Sequence, residues 1–213
     1  MIKIDLHIHT SERSICSNSD EDAQIRAAIE AGFDAMVISD HDLLVPRPHL
    51  EKLNARYAPF TIFGGIEVSV WDSELSSYEH FLVLGVHTTL LETHSWTYPE
   101  LWEYVREQQG FLAVAHLFRF RPTSHLDLRQ FPPDALEAAS NNISSRLHRR
   151  IMPLAANLGI PVLSNSDAHH VQMIGPYYNE LFDTPGSEKE LIAMLRHGNF
   201  KPVWPKEYAN GLE

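Results

Sequence analysis

The sequence of 213 residues predicts a single α/β barrel, and three observations favour this class. Short apolar segments alternate with segments of helical character, a pattern typical of parallel strands joined by right-handed crossover helices. About seven of the apolar segments qualify as barrel strands. Histidines and carboxylates directly follow several of them, and barrels carry their chemistry at the carboxyl ends of their strands. No internal repeat or linker-like stretch interrupts residues 1–213, so we expect one domain.

The first two elements are a strand and a helix. Apolar residues at every second position from Ile2 to Leu6 predict the first strand. Ser19 or Asp20 is expected to cap a helix that runs through Ala31, because two acidic residues stand in its first turn and a glycine follows it.

The next elements alternate in the same way. Ala35–Ile38 is expected to be a second, buried strand, followed by a helix over residues 49–57 and a third strand over residues 61–63. Residues 68–70 and 81–84 flank a polar tip, which indicates a hairpin or an excursion from the barrel.

The second half of the chain continues the alternation. Residues 135–139 could form either a strand or a helix, because all but one are apolar and the run is short. The other predicted elements are a helix from Thr97 through Gln109 closed by Gly110, strands over 111–115 and 162–163, a helix over 144–158, and a last helix with a capping box of Ser187 and Glu190 that ends at Gly198.

Composition restricts the classes of partner. The formal net charge of −11 argues against long nucleic acid, because proteins that coat it carry basic patches that neutralise phosphates. A small phosphorylated substrate remains compatible with this charge, since bound divalent cations reverse the local field of an acidic pocket. The sequence leaves the oligomeric state open.

The cellular compartment is expected to be the cytoplasm. Cys16 is the only cysteine, so no disulfide can form within the chain, which fits a reducing compartment. The residues after Met1 show neither the basic region nor the apolar stretch of a signal peptide. No apolar run approaches the roughly 20 residues of a membrane span.

The first strand ends in a pair of histidines. His7 and His9 are two residues apart, so their side chains point to the same side and can bind one metal ion together. The adjacent Asp5 strengthens this interpretation, because ligating imidazoles usually need a carboxylate behind them that fixes their tautomer. Histidines and carboxylates also follow later apolar runs, namely Asp40-His41, Glu67, His116, and Asp167 with His169.

These residues, taken in order, resemble the polymerase and histidinol phosphatase (PHP) superfamily. The resemblance rests on six motifs and covers the chain from Met1 to His169 at least. It implies an irregular (β/α)7 barrel that holds two or three divalent metal ions, zinc, manganese or iron, and hydrolyses phosphate esters. The motifs are His7-x-His9, Asp40-His41, Glu67, His80, His116, and Asp167-x-His169.

The resemblance also implies a role for each matched residue. It places His7, His9, Glu67 and Asp167 around a first metal ion. Glu67 would bridge to a second ion held by His80 and His116, and His41 and His169 would form part of a third site. Asp5 and Asp40 would lie behind the ligands and orient their imidazoles.

Two positions near these motifs carry further hypotheses. The remaining ligand of the third site is either Cys16, whose thiolate would favour zinc or iron, or water, in which case the ion binds weakly. Arg119 matches the arginine that relatives carry just after the histidine equivalent to His116, and its guanidinium could clamp a phosphate. Leu117 stands where relatives usually have proline.

The expected function is metal-dependent hydrolysis of a small phosphomonoester or nucleotide by metal-activated water. Asp167, His169 and Arg119 are the candidate catalytic residues, with His169 or a water molecule protonating the leaving alkoxide. Two alternatives stay open: a non-catalytic metal-binding regulatory module, and an amidohydrolase-like enzyme that cleaves C–N bonds. The second usually needs a lysine that bridges the metals, and neither Lys3 nor Lys52 ends a barrel strand.

Overall fold

The computed structural model describes residues 1–74 and 76–208, which form one sheet surrounded by helices. Residues 209–213 of the predicted domain lie outside this description. The strands are β1 (Ile2–Ile8), β2 (Ala35–Ile38), β3 (Thr61–Asp72), β4 (Ser77–Leu84), β5 (Phe111–Val114), β6 (Ala135–Ala139), β7 (Val162–Ser164), β8 (Tyr178–Leu181) and β9 (Phe200–Val203). The helices are α1 (Glu21–Glu30), α2 (Arg47–Tyr57), α3 (Leu90–Thr93), α4 (Tyr98–Glu107), α5 (Ser145–Leu158) and α6 (Glu188–Arg196).

The strand order makes a nearly closed barrel of mixed direction. Neighbouring strands follow the order β7-β6-β5-β4-β3-β2-β1-β8-β9. β1, β2 and β3 are parallel to one another, as are β5, β6 and β7, and the antiparallel β4 joins the two sets. β8 runs antiparallel to β1, and β9 antiparallel to β8. The predicted α/β barrel is confirmed, although the sheet has nine strands among the described residues where seven were expected.

Two segments resolve questions that the sequence left open. Residues 135–139 form a strand, and all five are buried between the helices and the barrel interior. The predicted third strand and the first arm of the hairpin are one continuous strand, β3, which extends beyond the barrel rim with β4.

The helix boundaries follow the predicted caps closely. The Asp20 side chain accepts a hydrogen bond from the Ala23 amide at 2.8 Å, which starts α1. Ser187 caps α6 by accepting from the Glu190 amide at 3.2 Å. The Glu190 carboxylate reaches the amide of Gly186 at 2.7 Å, one residue before the position that the predicted capping box assigned.

The barrel interior is apolar at one end and polar at the other. The inward face of β4 and β5 carries Leu82, Leu84, Phe111 and Ala113 in one buried cluster. A second cluster on the outward face of β3–β6 packs against α4 and α5. The polar end lies at the carboxyl ends of the parallel strands, where the predicted metal ligands fall. Among the described residues, no helix is both long and apolar enough to cross a membrane.

Candidate metal centre

The centre of the site is a group of four donor atoms from three strand ends. Nε2 of His7 and Nε2 of His9 are 2.9 Å apart, and both residues are fully buried at the end of β1. Oε2 of Glu67 lies 3.3 Å from each of these nitrogens. Oδ1 of Asp167 lies 3.4 Å from the first and 3.3 Å from the second. These are the four residues that the resemblance placed around one metal ion.

This four-atom group fits a divalent cation. A tetrahedral ion with bonds of about 2.0–2.1 Å separates its ligands by roughly 3.3 Å, close to the distances between these carboxylate oxygens and ring nitrogens. Oε2 of Glu67 and Oδ1 of Asp167 are buried, and among the described residues neither makes a hydrogen bond of good geometry, although ring nitrogens crowd around both. Buried carboxylate oxygens without a partner are costly, and a shared cation would satisfy both.

Glu67 also faces three further imidazoles, one within β4 and two in the loops that follow β2 and β5. Its Oε1 lies 3.0 Å from Nδ1 of His80 and 2.9 Å from Nε2 of His116, while Oε2 lies 2.9 Å from Nδ1 of His41. Burial alone would raise the pKa of Glu67, but the imidazoles of His7 and His80 hold it well below its usual range. The carboxylate therefore stays ionised, which is the form that binds a metal ion.

Four overlapping sets of three side chains could each hold a cation. Within a set, one donor atom from each residue lies within 4.8 Å of the other two. The shared members Glu67, His7, His9 and His41 link the sets into one continuous cluster of donor atoms, which supports divalent metal binding. The sets are His7–His9–Glu67, His7–His116–Asp167, His41–Glu67–His80 and His9–His41–His169.

Two of the ligand candidates have an unusual backbone. His116 has φ of 26° and Asp167 has φ of 52°, both in the left-handed region. Such conformations cost free energy and persist where the surrounding structure fixes them, commonly at functional sites. Both residues lie in loops that follow strands, β5 and β7, at the edge of the sheet where the donor atoms meet.

His169 lies at the edge of the cluster. Its side chain is 17% exposed, and its Nδ1 is 3.1 Å from the backbone oxygen of Asp167. Burial, and after it the neighbouring His9, lower the pKa of His169 to about 4. The ring is therefore neutral near pH 7, a form that suits a ligand better than a proton donor.

The residues behind the ligands differ in part from the expected ones. Asp5 was expected to orient an imidazole, but its carboxylate instead accepts hydrogen bonds from the backbone amides of His7 and Ser166, each at 3.1 Å. Burial raises the pKa of Asp5 to about 7. The carboxylate that contacts the His7 ring is Glu137 on β6, whose Oε1 is 2.9 Å from Nδ1.

Asp40 reaches an imidazole through an intervening hydroxyl. Its carboxylate accepts from the hydroxyl of Ser14 at 2.7 Å, and the Ser14 oxygen lies 3.2 Å from Nδ1 of His9. The Thr10 amide and the Arg13 guanidinium also donate to Asp40, at 2.6 and 2.8 Å. This network fixes the His9 ring, with Ser14 as a link that the sequence pattern did not indicate.

Cys16 lies apart from the four sets of ligands. Its side chain is exposed, and no set among residues 1–74 and 76–208 includes it. Burial of part of the residue raises the pKa of its thiol, which disfavours the thiolate that binds metal. Of the two hypotheses for the third site, the geometry favours the one without a cysteine ligand.

Arg119 is the cation at the mouth of the cluster. Its Nη1 lies 3.3 Å from Oδ2 of Asp167, and its guanidinium stands 4.9 Å from the centre of the Phe120 ring. The side chain is 29% exposed, so one face remains open to a ligand. Arg121, two residues further on, contacts the backbone oxygen of Ser76 at 3.5 Å and borders the same crevice as His80 and His116.

Comparison with known proteins gives a partial sequence match and several structural ones. A family model described as PHP-associated matches residues 146–200, from α5 into β9. No curated protein sequence matches the chain. The solved structures reported below are 11–16% identical to it, so the likeness is one of fold.

Three solved structures illustrate this likeness. A two-domain protein from Bacteroides vulgatus, containing a predicted PHP-like metal-dependent phosphoesterase, superposes with a TM-score of 0.69 at 14% identity; the match covers 96% of this chain but only 65% of that one. A candidate metal-dependent phosphoesterase from Bifidobacterium adolescentis gives 0.62 at 11% identity, covering 98% and 94%. An amidohydrolase from Chromobacterium violaceum, solved with bound sulfate and no metal, gives 0.66 at 16%, covering 93% and 97%.

Proposed function

The PHP-associated family match and the shared barrel support membership of the PHP superfamily, and from this premise we propose that the chain hydrolyses a phosphate ester with bound divalent metal ions. The observation that carries the proposal is the four-atom group of His7, His9, Glu67 and Asp167. The expected substrate is a small phosphomonoester or a nucleotide, because the net charge of −11 disfavours binding of a long nucleic acid.

Two or three ions of zinc, manganese or iron are proposed for the cluster. The four-atom group would hold one ion, and His80 with His116, which both contact Oε1 of Glu67, would hold a second that shares this carboxylate. His41 with His169, which form a set with His9, would hold part of a third. When bound, such ions supply Lewis acidity and lower the pKa of water to near neutrality. The protein contributes buried, prepositioned ligands and a nearby cation.

Arg119 is proposed to bind the phosphate of the substrate. A guanidinium donates two parallel hydrogen bonds to phosphate oxygens, and its fixed charge stabilises the charge on them during displacement. Its position 3.3 Å from Asp167 puts this cation at the mouth of the donor cluster. The Phe120 ring packs against the guanidinium at 4.9 Å and restricts its orientation, so the Arg119 side chain needs little movement to bind a phosphate.

Phosphate release tests the proposed function. Protein loaded in parallel with zinc, manganese or iron would be incubated with phosphomonoesters, nucleotides and short oligonucleotides. We expect turnover that Asp167→Asn abolishes and Arg119→Lys lowers by about 10²-fold, the size of effect typical of a single charge-stabilising donor. Arg106→Lys is the matched control, because Arg106 also stands over an aromatic ring, that of Trp102 at 4.6 Å, but lies on α4 outside the donor cluster, and it should keep nearly full activity. Metal-loaded protein that releases no phosphate from any member of the panel would contradict the proposal.

A second candidate is hydrolysis of C–N bonds, because one structure of similar fold is an amidohydrolase. Against this candidate, Lys3 lies at the start of β1 and Lys52 within α2, whereas the side chain that contacts several imidazoles of the cluster at once is the carboxylate of Glu67. Release of amine or ammonia from an amide panel, with no phosphate released from the esters, would favour it. Tight metal binding without turnover of either panel would favour a regulatory module.

A further inference from the structure

The β3–β4 hairpin carries the metal-site face of the sheet beyond the barrel rim. Residues directly opposite in an antiparallel pair point to the same face, and every second residue along a strand does so too. Glu67 and His80, both in the donor cluster, therefore share a face with residues nearer the tip of the hairpin. The cross-strand pairs on this face are Glu67–Leu82, Ser69–His80 and Trp71–Tyr78.

The last pair on this face consists of two exposed aromatic rings. Trp71 is 52% exposed and Tyr78 is 49% exposed, although aromatic residues usually bury most of their surface. Their ring centres are 4.9 Å apart at an interplanar angle of 66°. The rings hold each other in place while leaving faces open, which is an arrangement suited to stacking a planar ligand.

A third exposed ring connects this pair to the donor cluster. Phe120 is 51% exposed, and its centre lies 5.6 Å from that of His80 and 5.9 Å from that of His116. Tyr78 and Phe120 border one crevice beside these two histidines. The aromatic surface of Trp71, Tyr78 and Phe120 is therefore continuous with the metal site.

We propose that this aromatic surface is a subsite that stacks the nucleobase of a nucleoside monophosphate, an inference that rests on the proposed phosphoesterase function. Tyr78 lies two residues beyond His80, which corresponds to about 6.8 Å along a strand. A phosphate held at the donor cluster and Arg119 would leave room for the sugar near Phe120 and would bring the base to Trp71 and Tyr78. A sugar phosphate without a base would not reach this pair.

Binding of non-hydrolysable analogues tests the subsite separately from catalysis. The probes are the phosphonates of adenosine 5′-monophosphate and of ribose 5-phosphate, in which a methylene group replaces the ester oxygen. Calorimetry with zinc-loaded protein should give a Kd for the adenosine compound at least about tenfold lower, the size of effect expected for stacking of one base. The double variant Trp71→Leu, Tyr78→Leu should bring the ratio of the two Kd values close to one.

Two further variants make the result specific. Tyr78→Phe should keep the preference, because stacking does not need the hydroxyl group. Phe182→Leu removes an aromatic side chain that is also 51% exposed but follows β8, where β8 pairs with the start of β1 at the other end of the barrel. It should leave the Kd ratio at its wild-type value.

The outcomes separate the two proposals. Equal Kd values for both analogues in the wild-type protein, or a preference that survives the double variant, would overturn the subsite. If the preference depends on Trp71 and Tyr78 but neither parent ester is hydrolysed, the subsite stands and the phosphoesterase function fails. If both esters are hydrolysed but the two analogues bind with equal Kd values, the phosphoesterase function stands and the subsite fails.

Discussion

Glu137 is a fully buried carboxylate on a strand whose other residues are apolar, and it holds two parts of the metal centre at once. Oε1 contacts Nδ1 of His7 at 2.9 Å, and Oε2 accepts from the backbone amide of His116 at 3.1 Å. An ionised Glu137 accepts from Nδ1 of His7, and this contact favours the tautomer whose Nε2 lone pair can bind a metal ion in the donor cluster. The second fixes the left-handed turn that carries the His116 ring.

Replacing this carboxylate should weaken metal binding without unfolding the protein. We expect Glu137→Gln to lower the affinity for zinc by about 10–100-fold, as loss of a carboxylate behind a ligating histidine typically does. Chelator competition measures this affinity, and circular dichroism checks the fold. Glu188→Gln is the control, because Glu188 contacts His87 at 2.8 Å outside the donor cluster. Equal zinc affinity in Glu137→Gln and the wild-type protein would refute the assigned role.

Spacing along single strands could indicate the ligand candidates, but it could not indicate which carboxylate stands behind which ring. His7 and Glu137 are separated by 130 residues, and their contact depends on how β1 and β6 face each other across the barrel. For the same reason the sequence assigned Asp5 to an imidazole, although its strand directs it toward the backbone of Ser166. Local sequence carries no record of contacts across the barrel interior.

At the scale of elements, the sequence missed β8 and β9. Each has only four residues, and polar side chains interrupt their apolar pattern. Pro202 within β9 argues against a strand, since proline cannot donate to a neighbouring strand. β9 is the edge of the sheet, where a missing amide donor is tolerated. β2 is equally short, but its four residues are all apolar, and α5 begins at a capping Ser144 and ends at Gly159, so local signals were enough to predict both correctly.

Gly110 fixes how closely α4 and β5 approach β4. A Cβ atom there would lie 2.3 Å from Cγ2 of Val86 and 2.9 Å from the backbone oxygen of Leu84. We expect Gly110→Ala to lower the free energy of unfolding by about 1–3 kcal/mol, as overpacking of a core does. Urea denaturation measures the change. Gly186→Ala, which would meet only the flexible Glu190 side chain at 3.2 Å, should be nearly neutral, and equal midpoints for both variants would disprove the packing argument.

At the scale of the whole molecule, side chains join the two sides of the barrel where β7 faces β8. Asn179 on β8 acts as a substitute for a neighbouring strand. Its Oδ1 accepts from the amide of Ser164 at 3.1 Å, and its Nδ2 donates to the backbone oxygen of the same residue at 2.8 Å. The Asn165 side chain, which follows β7, accepts from the Leu6 amide at 3.3 Å. The barrel is thus joined along this line by amide side chains.

Removing this junction should weaken both the fold and the metal centre. Asn179→Ala leaves the buried amide and carbonyl of Ser164 without partners, each loss costing about 1–3 kcal/mol. We therefore expect a lower urea midpoint and weaker zinc binding, because Asp167 follows β7 directly. Asn54→Ala removes similar bonds, to the backbone of Ile62, far from the cluster, and should spare zinc affinity. Unchanged zinc affinity in Asn179→Ala would show that this junction does not position Asp167.

The position of the donor cluster on this junction has a consequence for biosynthesis. Asp5 and Ser166, which meet beside the cluster, are 161 residues apart in sequence. At translation rates of about 5–20 residues per second, roughly ten to thirty seconds separate the first histidine pair from Asp167 on the ribosome. A nascent chain therefore presents His7 and His9 well before their carboxylate partner exists. Binding of an ion by the four-atom group must therefore come late in synthesis, and a chain truncated before Asp167 lacks one of the four donor atoms.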